Sequence, residues 1–460
     1  MTIRLFNTLK REVEEFKPVG GNSVNLYTCG PTVYDSAHIG NLRSYIFADV
    51  LRRALRYNGY KVNWVMNITD VDDKTIKRTV DKYGPKATPK ELREYTDKYF
   101  EEFKNDLKAV NIPTDSENIT FIRVSDKIEE IKNFIKELMK SEYAYKTDDG
   151  VYFSIEKYQK KFGDYGNLVG PDFLKGKKVG ARVKVDEYEK EDLSDFALWK
   201  KRDESDGNIF WEDEELGDGR PGWHIECSVI NKIAFDGAPT DIHTGGVDLI
   251  FPHHTNEIAQ SQPLYRPFVR HWAHCEHLLV DGKKMAKSEG NFYTLKDLEK
   301  EIPNAGIVFR YLALLTNYRK QMNFTINAFH AAESGLEHLS EKRFDESHPN
   351  IPDESYEKTF LDDLNNDLNT AEAMRTLWQL VGYKNTGSRA DKMAYALGIE
   401  FLAADEEVEI PLKVKELADE REKYRRNEQF IEADRLRKEI DALGFISEDT
   451  SEGPVLKPKK

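Results

Sequence analysis

The stretch Tyr27-Thr28-Cys29-Gly30-Pro31-Thr32-Val33-Tyr34-Asp35-Ser36-Ala37-His38-Ile39-Gly40-Asn41 decides the fold of this chain. Residues 24–28, which lead into it, alternate between apolar and polar side chains, as a β-strand does. The residues after it carry apolar side chains at helical spacing as far as Asn58-Gly59, a pair that ends helices. Residues 61–66 are strand-like again. A strand, a helix and a second strand in this length predict a right-handed βαβ unit, and therefore a parallel sheet.

Cys29 and His38 lie where such a sheet binds its ligands. Parallel sheets bind ligands outside the carboxyl ends of their strands. Gly40 comes at the mouth of the predicted helix, where the free amide groups and the helix dipole attract a nucleotide phosphate. From this stretch alone, Cys29 is explained equally well as a small core residue, and His38 as an ordinary loop histidine.

The composition limits the class of protein. A chain of 460 residues predicts two to four domains. Its three cysteines cannot form a disulfide framework, so we expect a reducing, cytoplasmic setting. No apolar run approaches the roughly 20 residues of a membrane span, and the first residues lack the apolar stretch of a signal peptide. A net charge of −14 argues against nucleic-acid binding over the whole surface but permits a local basic face.

A second group of residues suggests a metal site divided along the chain. If Pro252 begins a helix, His253 and Glu257 share one of its faces. Together with Cys29 and Cys227 they would supply two thiolates, an imidazole and a carboxylate, all of which are zinc ligands. The alternative is that the His/Glu pair makes only a surface contact. Cys275 could compete as a ligand, although we favour it as a small buried residue near a strand.

A lysine-rich loop follows the predicted strand at 278–280. Gly282 and Gly290 bracket a flexible, cationic segment. Lys284 and Lys287 lie three positions apart, so they can close on a polyphosphate and offset the charge that builds up in phosphoryl chemistry. The alternative is a lysine cluster that is simply solvated.

The order of these motifs resembles that of class I aminoacyl-tRNA synthetases, and specifically the cysteinyl-tRNA synthetase family. His38-Ile39-Gly40-Asn41 is similar to the HIGH signature, and Lys284-Met285-Ala286-Lys287-Ser288 is similar to KMSKS. Further similar blocks occupy residues 27–35, 67–74, 222–228, 241–260 and 420–437. The resemblance spans nearly the whole chain, and the combination is far more specific than any single motif.

The resemblance implies the roles of individual residues. It implies one zinc ion per chain at Cys29, Cys227, His253 and Glu257, which binds the substrate cysteine through sulfur. It places five residues around the amino acid, namely Cys29, Thr69, Trp223, His243 and Asp248. It places ATP, with Mg²⁺, against His38, Gly40, Asn41, Lys284, Lys287 and Ser288. His38, Lys284 and Lys287 would then be the catalytic residues.

The implied reaction joins L-cysteine to ATP and passes the cysteinyl group to the terminal ribose of tRNA(Cys). Because shape alone separates cysteine from serine by only about 10–200-fold, selection through a sulfur-preferring metal would remove the need for an editing domain. We expect a cytoplasmic monomer that does not enter membranes. Two departures from the family signatures stand out: Asn41 replaces the last histidine of HIGH, and Ala286 replaces a serine of KMSKS. At Asn41 any role of an imidazole is lost, although an amide can still donate a hydrogen bond. At Ala286 both lysines of the signature remain, so we expect tuned rather than abolished activity.

The implied fold class is α/β, with a Rossmann-like parallel-sheet catalytic domain that carries an insertion and is followed by α-helical tRNA-binding domains. The expected boundaries are 1–115 and 201–283 for the two halves of the catalytic domain, 116–200 for the insertion, 284–335 for the lysine loop and stem-contact region, 336–404 for a helical bundle, and 405–460 for an anticodon-binding domain.

The last helices carry an apolar face that includes Leu436 and Ile431, and they carry many cations. A solvated helical hairpin explains this pattern from residues alone, whereas the resemblance makes Arg421, Arg425 and Arg437 tRNA contacts. Two other functions fit parts of the chain. One is a cysteine ligase that uses an amino sugar, which would not need these helices. The other is a zinc-stabilised RNA-binding protein without catalysis, which would not need His38, Lys284 and Lys287.

Overall fold

A computed structural model describes residues 2–163, 165–170, 179–183, 193–266, 268–285, 290–344, 355–384, 386–402, 411–427, 429–450 and 453–458. The chain divides into two compact units, Met1–Phe401 and Leu402–Lys460.

The strands of the first unit are β1 (Arg4–Asn7), β2 (Glu12–Glu15), β3 (Ser23–Thr28), β4 (Lys61–Ile68), β5 (Thr120–Arg123), β6 (Ala144–Lys146), β7 (Gly150–Phe153), β8 (Val179–Val183), β9 (Leu193–Lys201), β10 (Gly219–Pro221), β11 (Thr240–Gly246), β12 (Val269–Cys275), β13 (Leu278–Val280), β14 (Lys283–Lys284) and β15 (Met322–Phe324). Its helices are α1 (Ile39–Tyr57), α2 (Asp73–Tyr83), α3 (Pro89–Ala109), α4 (Ile128–Lys140), α5 (Ile155–Phe162), α6 (Trp223–Ala234), α7 (Thr255–Ser261), α8 (Leu295–Leu298), α9 (Ala305–Leu314), α10 (Ile326–Phe344), α11 (Tyr356–Asn365), α12 (Thr370–Leu380) and α13 (Gly387–Leu397).

A five-stranded parallel sheet lies at the centre of the first unit. Its strand order is β12-β11-β3-β4-β5, and every neighbouring pair is parallel. The predicted βαβ unit is therefore confirmed as β3, α1 and β4. Because β3 and β11 are neighbours, the loops that follow them open at the same edge of the sheet.

Helix α1 begins and ends as the sequence dictates. His38 caps its N-terminus: the His38 ring accepts from the backbone N–H of Asn41, and the Asn41 side chain accepts from the backbone N–H of His38. Asn58 ends the helix, and Gly59 follows with a φ of 87°. Leu42, Ile46 and other apolar residues of the helix are buried.

A second sheet accounts for much of the predicted insertion. Strands β10, β9, β7 and β6 pair antiparallel in that order, and β8 pairs parallel with β9. In the sequence, five apolar residues recur at helical spacing and predict one apolar stripe, namely Ile128, Ile131, Phe134, Ile135 and Leu138. Helix α4 forms there, and this stripe is buried in the adjoining core. Beyond the central sheet, β14, β13 and β15 form a small three-stranded sheet.

A buried ion cluster joins α1 to α9. The Asp49 carboxylate accepts hydrogen bonds from Arg52, Arg53 and Arg310, at nitrogen–oxygen distances of 2.7 Å for the closest contact of each. All four side chains are less than 5% exposed. The guanidinium of Arg310 also donates to the carbonyl of Leu397, so the cluster holds α13 as well.

The second unit contains α14 (Leu412–Arg426), α15 (Phe430–Ala442), β16 (Phe445–Thr450) and β17 (Gly453–Pro458). The helices pack against each other, the strands form an antiparallel hairpin, and Val414, Ala418 and Ile440 lie in a small core. Leu436 is buried as predicted, but the assignment of Ile431 to the apolar face is wrong, because its side chain is 86% exposed.

Among the described residues, no helix combines the length and the apolar character that crossing a membrane requires.

Candidate active site and metal centre

A cavity of about 440 Å³ opens at the carboxyl edge of the central sheet. It is bordered by the loop after β3, the start of α1, the start of α6, and the loops that follow β11 and β12. The residues proposed from the sequence that line it are Cys29, His38, Gly40, Asn41, Trp223, Asp248 and Lys284. Cys275, at the end of β12, is a buried residue of the same wall, and this agrees with the role that we favoured for it.

The four side chains proposed as metal ligands converge at one end of this cavity. The two sulfur atoms of Cys29 and Cys227 are 3.6 Å apart. The Nε2 atom of His253 is 3.3 Å from Cys227 Sγ and 3.2 Å from Glu257 Oε1, and Glu257 Oε1 is 3.8 Å from Cys29 Sγ. A tetrahedral zinc ion with bonds of about 2.0–2.3 Å sets its ligand atoms about 3.3–3.8 Å apart. The measured separations therefore fit a zinc ion.

The charges in the cluster also fit a cation. Burial raises the pKa of both thiols and keeps that of Cys29 well above its usual range, whereas the hydrogen bond with Cys29 and the charge of His253 lower that of Cys227 to about 6. Burial also raises the pKa of Glu257, but the charges and hydrogen bonds of His243 and His253 prevail and lower it to about 2. Burial of the Cys227 thiolate with the Glu257 carboxylate is costly unless a positive charge compensates them. Burial lowers the pKa of His253, but Cys227 and Glu257 prevail and raise it to about 10, so a proton on this imidazole supplies that charge and a bound cation would supply it in the proton's place.

His254 joins the cluster, although the sequence analysis did not select it. Its Nε2 atom is 3.3 Å from Cys29 Sγ and 3.8 Å from Glu257 Oε1. Cys29, His253, His254 and Glu257 form a group whose ligand atoms all lie within 4.8 Å of one another. The paired histidines at 253–254 were the available signal, but helical spacing singled out His253 alone.

The local backbone explains why both histidines point inward. The chain kinks at Phe251, which is extended, and helical backbone angles resume at Pro252 and continue into α7 at Thr255, so the predicted helical turn after Pro252 is present. His253 reaches Glu257 across one turn, at 3.2 Å. His254, the next residue of this turn, is fully buried, and its Nε2 atom approaches Cys29 Sγ.

The residues proposed to surround the amino acid occupy two different positions. Trp223 and Asp248 line the cavity, and the Trp223 ring stacks on His253 with centroids 4.3 Å apart. His243 and Thr69 are fully buried behind it. His243 Nε2 contacts Glu257 Oε2 at 3.1 Å, which fixes the orientation of that carboxylate.

Thr69 belongs to a hydrogen-bonded chain that sets the loop after β3. The Asn67 side chain accepts from the backbone N–H of Gly30 at 2.8 Å and donates to Thr69 Oγ1 at 3.0 Å. Thr69 donates to Glu226 at 3.1 Å. A side-chain carbon at position 30 would lie 1.7 Å from the Asn67 carbonyl oxygen, so only glycine allows this approach. These hydrogen bonds therefore position Cys29, the residue before Gly30.

The signature at His38 faces the opposite end of the cavity. His38 Nδ1 accepts from Asn41 N, so a neutral ring carries its proton on Nε2. The ring meets Phe292 edge-on, with centroids 5.3 Å apart. A side-chain carbon at Gly40 would lie 2.7 Å from Met285 Cε and 3.0 Å from the His38 ring. Glycine therefore lets the Met285 loop close over the start of α1.

The lysine loop is described in part. Lys284 is exposed on β14 and lines the cavity. Lys287 and Ser288 lie outside the described residues.

The three arginines proposed as tRNA contacts differ in exposure. Arg437 is exposed and Arg425 is half-buried beside Glu422. Arg421 requires a correction: it is only 4% exposed and donates to Ser447 Oγ at 3.3 Å, so its guanidinium stabilises the second unit.

Comparison with known proteins agrees with this geometry. The sequence model of the tRNA synthetases class I (C) catalytic domain matches residues 15–334. Two methionyl-tRNA synthetase structures from Mycobacterium tuberculosis are similar in fold. One has a TM-score of 0.55 at 14% identity and covers 82% of this chain and 89% of that one. The other has a TM-score of 0.56 at 14% identity and covers 85% and 86%. The chain is thus a class I aminoacyl-tRNA synthetase.

Curated relatives narrow the assignment. The cysteine–tRNA ligase of Brachyspira hyodysenteriae is 40% identical over 488 residues, covering 99% of each chain. That of Solibacter usitatus is 42% identical over 487 residues, covering 100% of each. Within the class, the chain belongs to the cysteine–tRNA ligase family.

Proposed function

We propose that this enzyme activates L-cysteine with ATP and transfers the cysteinyl group to the 3′-terminal ribose of tRNA(Cys). In the first step a carboxylate oxygen of cysteine attacks the α-phosphorus of ATP, and pyrophosphate leaves. In the second, a ribose hydroxyl, the 2′-hydroxyl if class I behaviour holds, attacks the carbonyl carbon and AMP leaves. The observation that carries the proposal is the convergence of Cys29, Cys227, His253 and Glu257 at one end of a cavity whose other end carries His38 and Lys284.

The nucleotide end of the cavity supplies positioning and charge. The Nε2–H of His38 is directed to donate to phosphate oxygens, and the start of α1 presents free amide groups to them. Lys284, with Lys287 and Ser288 of the same signature, is assigned to the β- and γ-phosphates. Mg²⁺ bound with ATP adds to this stabilisation of the phosphate charge.

The amino acid binds at the opposite end. Asp248 is assigned to the substrate ammonium group and Trp223 to the wall beside the side chain. We assign Cys29, Cys227, His253 and Glu257 as the ligands of one zinc ion, with His254 against Cys29. A zinc ion held there would accept the substrate thiolate and lower the pKa of the thiol. His243 holds Glu257 from behind, and Thr69 holds the loop that carries Cys29.

Selection of cysteine over serine follows from this donor set. The two amino acids differ by one atom, and a pocket of fixed shape gives only about 10–200-fold discrimination. The remainder is assigned to the preference of a thiolate-rich zinc site for sulfur. No editing domain is then required.

The test combines zinc content with pyrophosphate exchange. Zinc-loaded protein should contain one zinc per chain and exchange pyrophosphate with cysteine, and much more slowly with serine. Ready exchange with serine would contradict selection through zinc. Adding tRNA(Cys) or an amino sugar as acceptor then distinguishes a tRNA ligase from an amino-sugar ligase.

We assign the remaining segments to tRNA. Residues 284–335 are assigned to the stem and residues 405–460 to the anticodon, with Arg425 and Arg437 as phosphate contacts. We assign residues 336–404 to a helical bundle, and 1–115 with 201–283 to the catalytic domain. The insertion predicted at 116–200 has to begin after Arg123, because β5 (Thr120–Arg123) belongs to the central sheet. A monomeric, cytoplasmic enzyme stays a prediction.

A further inference from the structure

Three exposed cations of α2 lie beside two half-buried tyrosines, Tyr34 and Tyr99, at the mouth of the reaction cavity, and the buried Tyr95 ring, 8% exposed, supports both tyrosines. We call this set the cation–tyrosine row, and it consists of Lys74, Arg78 and Lys82 of α2 with Tyr34, Tyr95 and Tyr99. We propose that the row binds the single-stranded 3′ end of the tRNA and guides its terminal adenosine to the adenylate. The inference rests on the tRNA transfer proposed above.

The geometry of α2 places three positive charges in a line. Lys74, Arg78 and Lys82 are four residues apart, so they lie along one side of the helix with a rise of about 6 Å between them. All three side chains are exposed. Three charges at this spacing can each contact a phosphate of an extended single RNA strand.

The tyrosines lie beside the charges. Lys74 Nζ lies 5.6 Å from the ring centroid of Tyr34, and Lys82 Nζ lies 5.7 Å from that of Tyr95. Arg78 is within electrostatic reach of the Tyr95 hydroxyl. The Tyr95 and Tyr99 rings are 5.3 Å apart, and Tyr95 Oη donates to the Tyr34 carbonyl at 3.0 Å, which ties α3 to the loop after β3.

The row begins at the reacting groups. Lys74, Tyr34 and Tyr99 line the same cavity as Cys29 and His38. In the assignment proposed above, the signature residues take ATP and the metal cluster takes cysteine, and these three residues are given to neither substrate. An acceptor nucleotide must enter this cavity to reach the adenylate, and a cationic groove with stacking rings is how proteins bind single strands without reading sequence.

Three acidic side chains of the two helices have partners outside the row. Asp73 pairs with Lys200 and Arg220, and Asp97 pairs with Arg123. At the outer end of the row, Glu94 accepts a hydrogen bond from Tyr83 at 3.1 Å. Four cations of α2 (Lys74, Lys77, Arg78 and Lys82) therefore outnumber its two carboxylates (Asp73 and Asp81), and a local excess of positive charge is compatible with the chain's net charge of −14.

The test uses the full-length enzyme and the double variant Arg78→Gln/Lys82→Gln. Cysteine-dependent pyrophosphate exchange should stay within twofold of the wild-type rate, because neither residue lines the cavity. The KM for tRNA(Cys) should rise about tenfold, and the salt dependence of tRNA binding should fall by about 1.4 in log–log slope for two lost single-strand phosphate contacts. As a matched control, Lys90→Gln/Lys108→Gln removes two exposed charges from α3, on a face turned about 140–180° from Tyr95 and Tyr99.

A tRNA that lacks its 3′-terminal single-stranded nucleotides locates the contact. The wild-type enzyme should bind this tRNA less tightly than the intact one, and the double variant should bind both equally. Tyr99→Leu should slow single-turnover transfer about tenfold, whereas Tyr99→Phe, which keeps the ring, should not.

Three results would overturn the proposal. The first is a double variant that charges tRNA like the wild type. The second is an equal loss of affinity for intact and shortened tRNA, which would place the contact elsewhere on the molecule. The third is a wild-type enzyme that exchanges pyrophosphate but charges no tRNA, which would remove the proposed function itself.

Discussion

The sulfur atoms of Cys29 and Cys227 lie 3.6 Å apart although 198 positions separate the two residues along the chain. Cys29 follows the central strand β3, and Cys227 lies on α6, beyond the inserted sheet. The cluster therefore forms only when both halves of the catalytic domain have folded together, and ion binding and folding of this domain should be coupled.

Replacing Cys227 should abolish zinc binding and cysteine activation together. Cys227→Ser removes one of two thiolates that lie at zinc-ligand separations. We expect the zinc content to fall to a small fraction of one ion per chain. The rate of cysteine-dependent exchange should fall by more than about 100-fold, because loss of a residue that only hydrogen-bonds to a metal ligand already costs up to about 100-fold. Metal analysis and pyrophosphate exchange measure both. Cys275→Ser is the control and should keep its zinc, and full zinc content in Cys227→Ser would refute the ligand assignment.

A substitution of His243 distinguishes support of the zinc ligand Glu257 from direct contact with the amino acid. Because its Nε2 contacts Glu257 Oε2 at 3.1 Å, His243→Phe should weaken zinc binding about 10–100-fold while keeping a ring against Trp272. Competition with a zinc chelator gives the affinity. If His243 instead contacts the amino acid directly, the KM for cysteine will rise while the zinc affinity stays at the wild-type value.

The Asn41 departure from the HIGH signature has a structural explanation. We expected its amide to donate a hydrogen bond, but its side-chain oxygen accepts from the backbone N–H of His38. Asn41→Ala removes half of a capping box, so the free energy of unfolding should fall by about 0.5–2 kcal/mol. Since the same bond orients His38, the KM for ATP should also rise. Denaturation and exchange assays measure the two effects. Thr88 caps α3 in the same way, so Glu91→Ala there should match the stability loss and leave the KM for ATP unchanged.

The buried carboxylate of Asp49 should make stability depend on acid pH. Burial alone raises its pKa, but Arg310, Arg53 and Arg52 prevail and lower it to about 2. A lowered pKa in the folded state means that the stabilisation is complete above the unfolded value of about 3.9 and is lost as the pH falls from there through 2. Asp49→Asn leaves three guanidinium groups without their counter-ion and should cost about 3–5 kcal/mol at pH 7.

Urea denaturation between pH 7 and pH 3 checks this expectation. The difference in free energy of unfolding between wild type and Asp49→Asn should be constant near neutral pH. It should begin to decrease below about pH 4. Asp362→Asn, which breaks a surface pair with Lys358, should change stability by less than about 1 kcal/mol. A gap that does not change with pH would mean that Asp49 is not the titrating group.

Sequence periodicity predicted the helices and strands better than it predicted which of their side chains are buried. The βαβ unit and the stripe on α4 were readable because their apolar residues follow the period of the element. Ile431 follows such a period too, yet it is 86% exposed, since the pattern cannot say whether another element packs against it. The sequence pattern likewise does not show that Arg421 is covered by the strand that carries Ser447. His254 escaped notice because helical spacing pairs His253 with Glu257, whereas the approach of His254 to Cys29 depends on where the loop after β3 lies in the fold.

Removing the second unit should separate the two half-reactions. Among the residues that the structure describes, those that line the catalytic cavity all belong to Met1–Phe401, and the second unit has its own small core. A chain ending at Phe401 should therefore keep most of its cysteine-dependent exchange, whereas charging of tRNA(Cys) should fall by about 100-fold or more as contacts to the anticodon loop are lost. Pyrophosphate exchange and tRNA charging are measured for the shortened chain and for Arg437→Gln. The point variant keeps the second unit and should lose only part of its charging activity. Equal loss of both activities in the shortened chain would show that the second unit serves the catalytic domain rather than the tRNA.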